Sequence, residues 1–482
     1  MTQAHTTLRG WLRHLAATDR LARIQAGVKL EHELAAIAKR LDGTQAAYFP
    51  QPGGHAIPVV SGFMSRRSWI AEAMGVPQAQ LLQRFRAAAD KPLPWREVPD
   101  APVQQVVHRF ADGSQASADI RTLLPIPTHS EHDHGAYITA GLVIARNPTT
   151  GVQNVSINRI QIQGRNRMGI LILPRHLHAF FAAAEAQGQA LDVAIAIGVD
   201  PLTALASQAI APLDTDELEI AGALHGAPLP VVKCLTNEVR VPAEAEIVIE
   251  GRLLPRVRAL EGPFGEFPKY YSAREEREVI EIDAVTHRHN PIFHTIVPAE
   301  MEHLLLGAIP REATLLAHLQ RSFPNVTDVH LSVGGVARYH LHVQLKKTRE
   351  GQAKNVILGA FAGHYDVKQV IVVDDDVDVH NALEVEWAVA TRFQADRDLV
   401  VITGAQGSAL DPSTTVGFPG NKPPVQWQGY GAKMGLDATK PLSSAEHVFT
   451  RVRIPGEAAV NLATAITATG MAALAGTPLE QG

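Results

Sequence analysis

The sequence predicts an α/β or α+β chain in three segments, with a strand-rich middle segment between two that mix helices and strands. Three observations carry this. Short β-branched runs bounded by turn residues gather between residues 137 and 251. Apolar residues at helical spacing lie on both sides of that region. The 482 residues are also enough for about three domains and a large buried core.

The first segment, 1–102, opens with helices. Leu8, Trp11, Leu12 and Leu15 share one face, as do Leu34, Ile37 and Leu41, and Asp42-Gly43 stops the second helix. Strands are expected at 46–49 and 57–60 around the Gly53-Gly54 turn, and the Pro-rich stretch 91–102 reads as a linker. The middle segment, 103–300, places strands at 137–144, 155–163, 168–173, 191–197 and 247–251, with a helix near 176–187. Strands with helices packed outside suggest a barrel or a sandwich. The third segment, 301–450, gives a helix at 311–322, strands at 329–333 and 340–345, and a helix at 354–363. A purely apolar buried strand follows at 370–373. The tail, 451–482, is rich in Ala and Thr from 457 to 475 and is expected to form a terminal helix.

Composition removes several function classes. Hydrophobic residues make up 46% and charged residues 19%, as in folded globular proteins. A net charge of −5 offers no basic surplus for nucleic acid. No apolar run reaches the roughly 18 residues of a membrane span. Residues 1–9 lack the pattern of a signal peptide. Cys234 is the single cysteine, which excludes intrachain disulfides and Cys-rich metal sites and points to the cytoplasm. Phosphate-loop, dinucleotide, nucleophile-elbow and HExxH motifs are missing.

Two polar clusters read as decoys. His129, Glu131, His132, Asp133 and His134 have metal-like spacing, but between Pro127 and Gly135 they read better as a solvated loop. Asp374, Asp375 and Asp376 follow a strand and read better as its solvated end. Two stretches resist a scaffolding explanation. Residues 154–167 put Asn, Ser and Arg into a β-forming run, where buried polar groups need partners. Glu-Gly-Pro-Phe-Gly-Glu at 261–266 is a tight loop with a carboxylate at each end, able to converge on one point for acid/base work.

Together these stretches resemble the UbiD-type decarboxylases that use prenylated FMN. The resemblance also includes Leu124-Pro125 onward to Ile138, Val231-Val-Lys-Cys234 with Asn237, the Val373-Asp-Asp-Asp376 run and Lys433-Met-Gly-Leu-Asp437-Ala-Thr439. The motifs occur in order over nearly the whole chain. The resemblance implies an N-terminal α/β domain, a central split β-barrel that binds flavin, and a C-terminal α/β domain used in homo-oligomerisation, as a dimer or hexamer.

It also implies roles. Asn154, His176 and Glu217 correspond to ligands of a Mn²⁺ that, with K⁺, holds the flavin phosphate; His178 is a rival to His176. Hard oxygen donors with one imidazole suit Mn²⁺. Ile157, Asn158, Arg159, Leu171, Ile172, Leu173, His176 and Leu177 would line the flavin, and Lys433 would reach its phosphate. Loss of CO₂ from an unsaturated carbon needs an electron sink that no side chain supplies, and in the family prenylated FMN supplies it through a covalent adduct with the substrate. Glu266 is then the acid that delivers the proton, Arg159 an always-charged fork that orients Glu261 and holds the substrate carboxylate, and Glu261 the third member. Burial and Arg159 push the carboxylates in opposite directions, and sequence does not say which wins. A flavin prenyltransferase is implied as cofactor supplier.

His303 and Arg311 resemble the branch that acts on furan- and pyrrole-carboxylates, including furan-2,5-dicarboxylate, where an arginine would grip a second carboxylate. Otherwise both only cap or solvate the following helix. The alternatives are phenolic or larger aromatic acids of the hydroxybenzoate type, or a non-catalytic assembly protein that keeps the fold.

Overall fold

Helix Leu8–Ala17 starts where the Thr7 side chain accepts from the Gly10 amide, and it buries the predicted face of Leu8, Trp11, Leu12 and Leu15. The computed structural model describes residues 6–110, 118–475 and 477. It forms two units, Met1–Thr439 and Lys440–Gly482.

In the first unit, helix Glu33–Leu41 ends where Asp42-Gly43 was expected to stop it. The N-terminal sheet runs in the order Leu21–Arg23, Ala46–Phe49, Val59–Ser61, Phe293–His294. Its last strand therefore comes from the far end of the middle segment, so this layer is not closed within residues 1–102. The expected linker 91–102 is also partly sheet: Arg96–Glu97 pairs in parallel with Pro230–Lys233.

The middle segment is a nine-stranded sheet. Along its path lie Tyr137–Ile138, Ile160–Ile162, Arg167–Ile170, Glu275–His287, Ile247–Glu261, Leu191–Ile197, Leu142–Arg146 and Gln153–Ile157, with Val106–Arg109 beside Glu275–His287. Gln153–Ile157 is the last strand of the path and Ile160–Ile162 the second, yet only Asn158 and Arg159 separate them. Three Cα steps reach at most about 11 Å. The sheet must therefore curl until its two ends nearly meet, which is a split barrel. The Asn154–Arg159 stretch lies along that split. Helix His176–Ala186 covers the barrel with buried Leu177, Phe180, Phe181 and Ala184.

Helix Met301–Ser322 begins ten residues before the expected start, because Pro310 lies inside it. The C-terminal sheet has the order Val326–Leu331, His340–Leu345, Gln369–Asp374, Tyr430–Ala438, Leu399–Gln406. Helices Gln352–Gly363 and Ala382–Arg392 belong to the same segment. The acidic run is neutralised as well as solvated: buried Arg392 holds Asp374 at 2.7 Å and Asp376 at 3.0 Å.

The second unit corrects the expectation of a terminal helix. Among the described residues of the 451–482 tail only Leu462–Ala465 is α-helical, with 3₁₀ turns at Glu457–Ala459 and Gly470–Leu474. Alanine content favoured a helix, but Gly456 and Gly470 take positive φ, and Thr464, Ile466, Thr467 and Thr469 are β-branched.

Candidate functional site

The split of the barrel and the loop after strand Ile247–Glu261 bring three side chains together. Arg159 leaves the turn after Gln153–Ile157. Its Nε donates to Glu261 Oε1 at 3.0 Å and its Nη2 to Glu261 Oε2 at 2.7 Å, a bidentate fork. Nη1 donates to Glu266 Oε1. The guanidinium also lies over the Phe264 ring, 5.4 Å from its centre. Glu261 is wholly buried, and Glu266 keeps 12% of its side chain exposed, so Glu266 is the member that faces an approach. The electrostatic contest is decided here: burial raises the Glu266 carboxyl above its ordinary value, against Arg159, and Glu261 adds to the rise. Arg159 is held above its ordinary value, because the two carboxylates outweigh its burial. The site thus favours a charged arginine beside a carboxyl inclined to keep its proton.

A second group sits on the same strand. Asn154 Nδ2 donates to Glu217 Oε1 at 3.0 Å, and the Val155 amide to Glu217 Oε2 at 2.6 Å. His176 Nδ1 is 3.5 Å from the Asn154 amide. Glu217 is first in helix Glu217–His225, whose N-cap is Asp216. Among the described residues no lysine or arginine pairs with Glu217, and burial pushes its carboxyl up to about 8. A buried carboxyl without a counter-ion, one imidazole and an amide whose rotation would turn Oδ1 inward make a donor set that suits a hard divalent cation. Among the described residues no three His, Cys, Asp or Glu side chains form a metal cage, and here the third donor is the amide. His178, the rival, is exposed and bonds to neither Asn154 nor Glu217.

The proposed flavin-lining residues adjoin both groups. Asn158 Nδ2 donates to Leu171 O at 3.1 Å, tying residues 157–158 to 171–173. Leu171 and Ile172 are buried, and Leu173 remains 43% exposed. Leu177 faces the core instead, at 4%. Lys433 is more committed than expected: Nζ donates to Tyr365 O at 2.7 Å and Val367 O at 2.6 Å, leaving one donor.

A third, cationic group meets the first through Phe267, the residue after Glu266. His303 lies 6.5 Å from the Phe267 ring and accepts from the Ala299 amide; burial, then Arg338, lowers it to about 3. One and two turns on come Gly307 and Arg311. Arg311 donates to His364 Nε2 at 3.1 Å and Gly307 O at 2.8 Å, with Asp366 at 3.6 Å. Arg338, which the sequence reading missed, stacks on Phe267 at 5.3 Å and donates to the Leu304 and Ala337 carbonyls. A Cβ on Gly307 would lie 1.6 Å from Arg338 Nη2, so the glycine makes room for the guanidinium. Burial and Arg311 hold Arg338 well below its ordinary value, with Asp366 the main opposing charge. His364 falls to about 2 through burial and Arg311. The group carries more buried positive charge than Asp366 offsets.

The polar stretch 129–135 is not a solvated loop throughout. His129 and Asp133 are buried, and the stretch packs on the 261–266 loop: His134 N donates to Pro263 O at 3.0 Å and Gly265 N to Asp133 Oδ1 at 2.8 Å. Tyr137 lies 4.5 Å from Phe264; burial, then Glu261, raises the phenol above its ordinary value.

Three family models match. They describe the N-terminal, Rift-related and C-terminal domains of 3-octaprenyl-4-hydroxybenzoate carboxy-lyase, at residues 12–89, 96–301 and 304–438. The UbiD-class enzyme HmfF from Pelotomaculum thermopropionicum, solved with FMN, is 47% identical with a TM-score of 0.90, over 95% of this chain and 100% of that one. An evolved dimeric form of HmfF, solved with prFMN, gives 45% and 0.87 over 96% and 100%. The anhydromevalonate phosphate decarboxylase of Methanothermobacter thermautotrophicus is 39% identical over 82% of this chain and 88% of its own. The gallate decarboxylase of Lactiplantibacillus plantarum is 31% identical over 80% and 81%. The chain belongs to the UbiD family and is a carboxy-lyase.

Proposed function

We propose that this UbiD-family decarboxylase acts, reversibly and without oxidation, on a small heteroaromatic acid, furan-2,5-dicarboxylate first, for its second anionic group, and a furan- or pyrrole-2-carboxylate next. The observation that carries the reading is the buried positive charge of Arg311 and Arg338 beside His303, which Asp366 alone does not balance. Buried charge is costly unless paired, so the group is suited to an anion from the substrate. An arginine fork matches a planar carboxylate. A phenolic acid of the hydroxybenzoate type brings no second anion and would leave the charge unmet.

Prenylated FMN, when bound, supplies the electron sink for loss of CO₂. A flavin prenyltransferase would provide it, and Asn154, His176 and Glu217 would hold a Mn²⁺ at its phosphate, with K⁺. Arg159 orients the reacting carboxylate and fixes Glu261 through its fork. Glu266, buried and inclined to keep its proton, delivers it from its carboxyl oxygen to the ring carbon that CO₂ leaves. Leu171, Ile172 and Phe267 exclude water around that transfer. The solved dimeric form of HmfF supports a homo-oligomer here as well.

One observation favours a second reading. The 39% identity to an anhydromevalonate phosphate decarboxylase allows the distal anion to be a phosphate rather than a carboxylate. The test supplies flavin-loaded enzyme with furan-2,5-dicarboxylate, furan-2-carboxylate, pyrrole-2-carboxylate, a hydroxybenzoate and a phosphate-bearing unsaturated acid. CO₂ release is followed, or ring-proton exchange where decarboxylation is uphill. Preference for furan-2,5-dicarboxylate is expected. Preference for the hydroxybenzoate refutes the dianion reading, and preference for the phosphate acid refutes the furan assignment.

A further inference from the structure

Each half of the Asp133 carboxylate is committed to a different loop. Oδ2 accepts from the Ser130 amide at 2.9 Å, within its own loop, and Oδ1 accepts from the Gly265 amide at 2.8 Å, in the loop that carries the acid. Gly265 immediately precedes Glu266. Two residues earlier, Pro263 O accepts from His134 N at 3.0 Å. Between them Phe264 is packed against Tyr137 at 4.5 Å. The loops are in close contact: a Cβ on Gly265 would lie 3.0 Å from Ser130 Oγ. On its other side the Glu266 amide donates to Tyr270 O at 2.9 Å. The backbone entering Glu266 is therefore set by Asp133 and the backbone at Glu266 by Tyr270. Asp133 is 9% exposed and, among the described residues, forms no ion pair; its acceptors serve these amides. A carboxylate oxygen accepts an amide hydrogen more strongly than a neutral oxygen does.

We propose that Asp133 is the positioning residue for Glu266, holding the Gly265 peptide so that the acid points at the reacting carbon. It touches neither substrate nor cofactor and acts through the loop. The inference rests on the reading of Glu266 as proton donor.

The test compares flavin-loaded wild type with Asp133→Ala, Asp133→Glu, Asp133→Asn, Glu266→Gln and the Asp133→Ala/Glu266→Gln double variant. Loss of about one ångström of alignment costs about a hundredfold in rate. Asp133→Ala should lower kcat by that factor with KM, flavin content and melting temperature little changed. Asp133→Glu keeps the charge but displaces the oxygen, and gives the same loss should the alanine variant fail to fold. Asp133→Asn keeps Oδ1 for Gly265 but sets its Nδ2, a donor, against the Ser130 amide, and should recover part of the rate. In the Glu266→Gln background Asp133→Ala should cost nothing more. Wild-type kcat in both Asp133→Ala and Asp133→Glu, equal loss in KM and flavin content, or losses that multiply in the double variant would overturn the inference while Glu266→Gln alone still shows its own loss of rate. Normal turnover by Glu266→Gln would overturn the Glu266 reading first, and this inference with it.

Discussion

Gly307→Ala separates the cationic group from the helix that carries it. The new Cβ would stand 1.6 Å from Arg338 Nη2 and 2.2 Å from its Cζ. Ordinary contact is about 3.5 Å, so the guanidinium must retreat by about 2 Å. It is fully buried and leans on Phe267, so retreat breaks its bonds to Leu304 O at 3.2 Å and Ala337 O at 2.9 Å. Helix Met301–Ser322 itself gains about 1 kcal/mol from replacing an interior glycine. That gain partly offsets the lost bonds, so the fold should survive with a stability change of about 1–2 kcal/mol. The substrate loses one charged hydrogen bond, worth about 1.5–3 kcal/mol. In kcat/KM this is about 10- to 150-fold. The loss should appear for furan-2,5-dicarboxylate and be small for furan-2-carboxylate, whose single carboxylate, on the proposed function, would sit at Arg159. Steady-state decarboxylation of the first and ring-proton exchange of the second, in D₂O, give the comparison, with a thermal melt as control. Equal losses for both acids, or none for the diacid, would refute the role given to Arg338.

Glu266→Gln should keep fold and flavin but slow product protonation by about 100- to 10,000-fold, read as deuterium incorporation in D₂O. Asn154→Ala or Glu217→Ala should lower manganese and flavin content together; metal analysis showing full flavin with no metal would break the coupling. Glu312 gives a pH prediction. Arg67 at 2.6 Å and His330 at 3.0 Å overcome its burial and depress it to about 2. A depressed carboxyl stabilises the fold above its unfolded value near 4.5, and that contribution is lost as pH falls through about 2. It amounts to about 3 kcal/mol. Denaturant unfolding from pH 7 to pH 2 should show the stability gap between wild type and Glu312→Gln close by about that amount; a constant gap sinks the assignment.

What the sequence made legible was local. The loop at 261–266 and the run at 154–159 each compress their polar residues into a few positions, and the curled sheet then needs only two residues, Asn158 and Arg159, to join its ends. Proximity of Arg159 to both carboxylates follows from that geometry. The helix starting at Met301 was cut short because Pro310 stops most helices, and tertiary packing overrode it. The tail failed in the opposite sense: alanine supplied helix propensity, while β-branched residues and two positive-φ glycines withheld it.

Arg338 was missed, and Asp133 was read only as part of a solvated loop, for a different reason. Each gains its role from a residue far along the chain whose own side chain is absent. Arg338 lies on Gly307 and Asp133 bonds the amide of Gly265. The sequence did carry a signal, though not at the two polar residues. Gly307 stands in the apolar run Leu304-Leu305-Leu306-Gly307-Ala308-Ile309, where a helix interior gains nothing from glycine. A glycine kept at that cost marks a place where something large must come close, and four residues on either side stand His303 and Arg311. Had the cost been weighed, the search would have been for a bulky cationic partner able to lie over that face, which is the position Arg338 occupies.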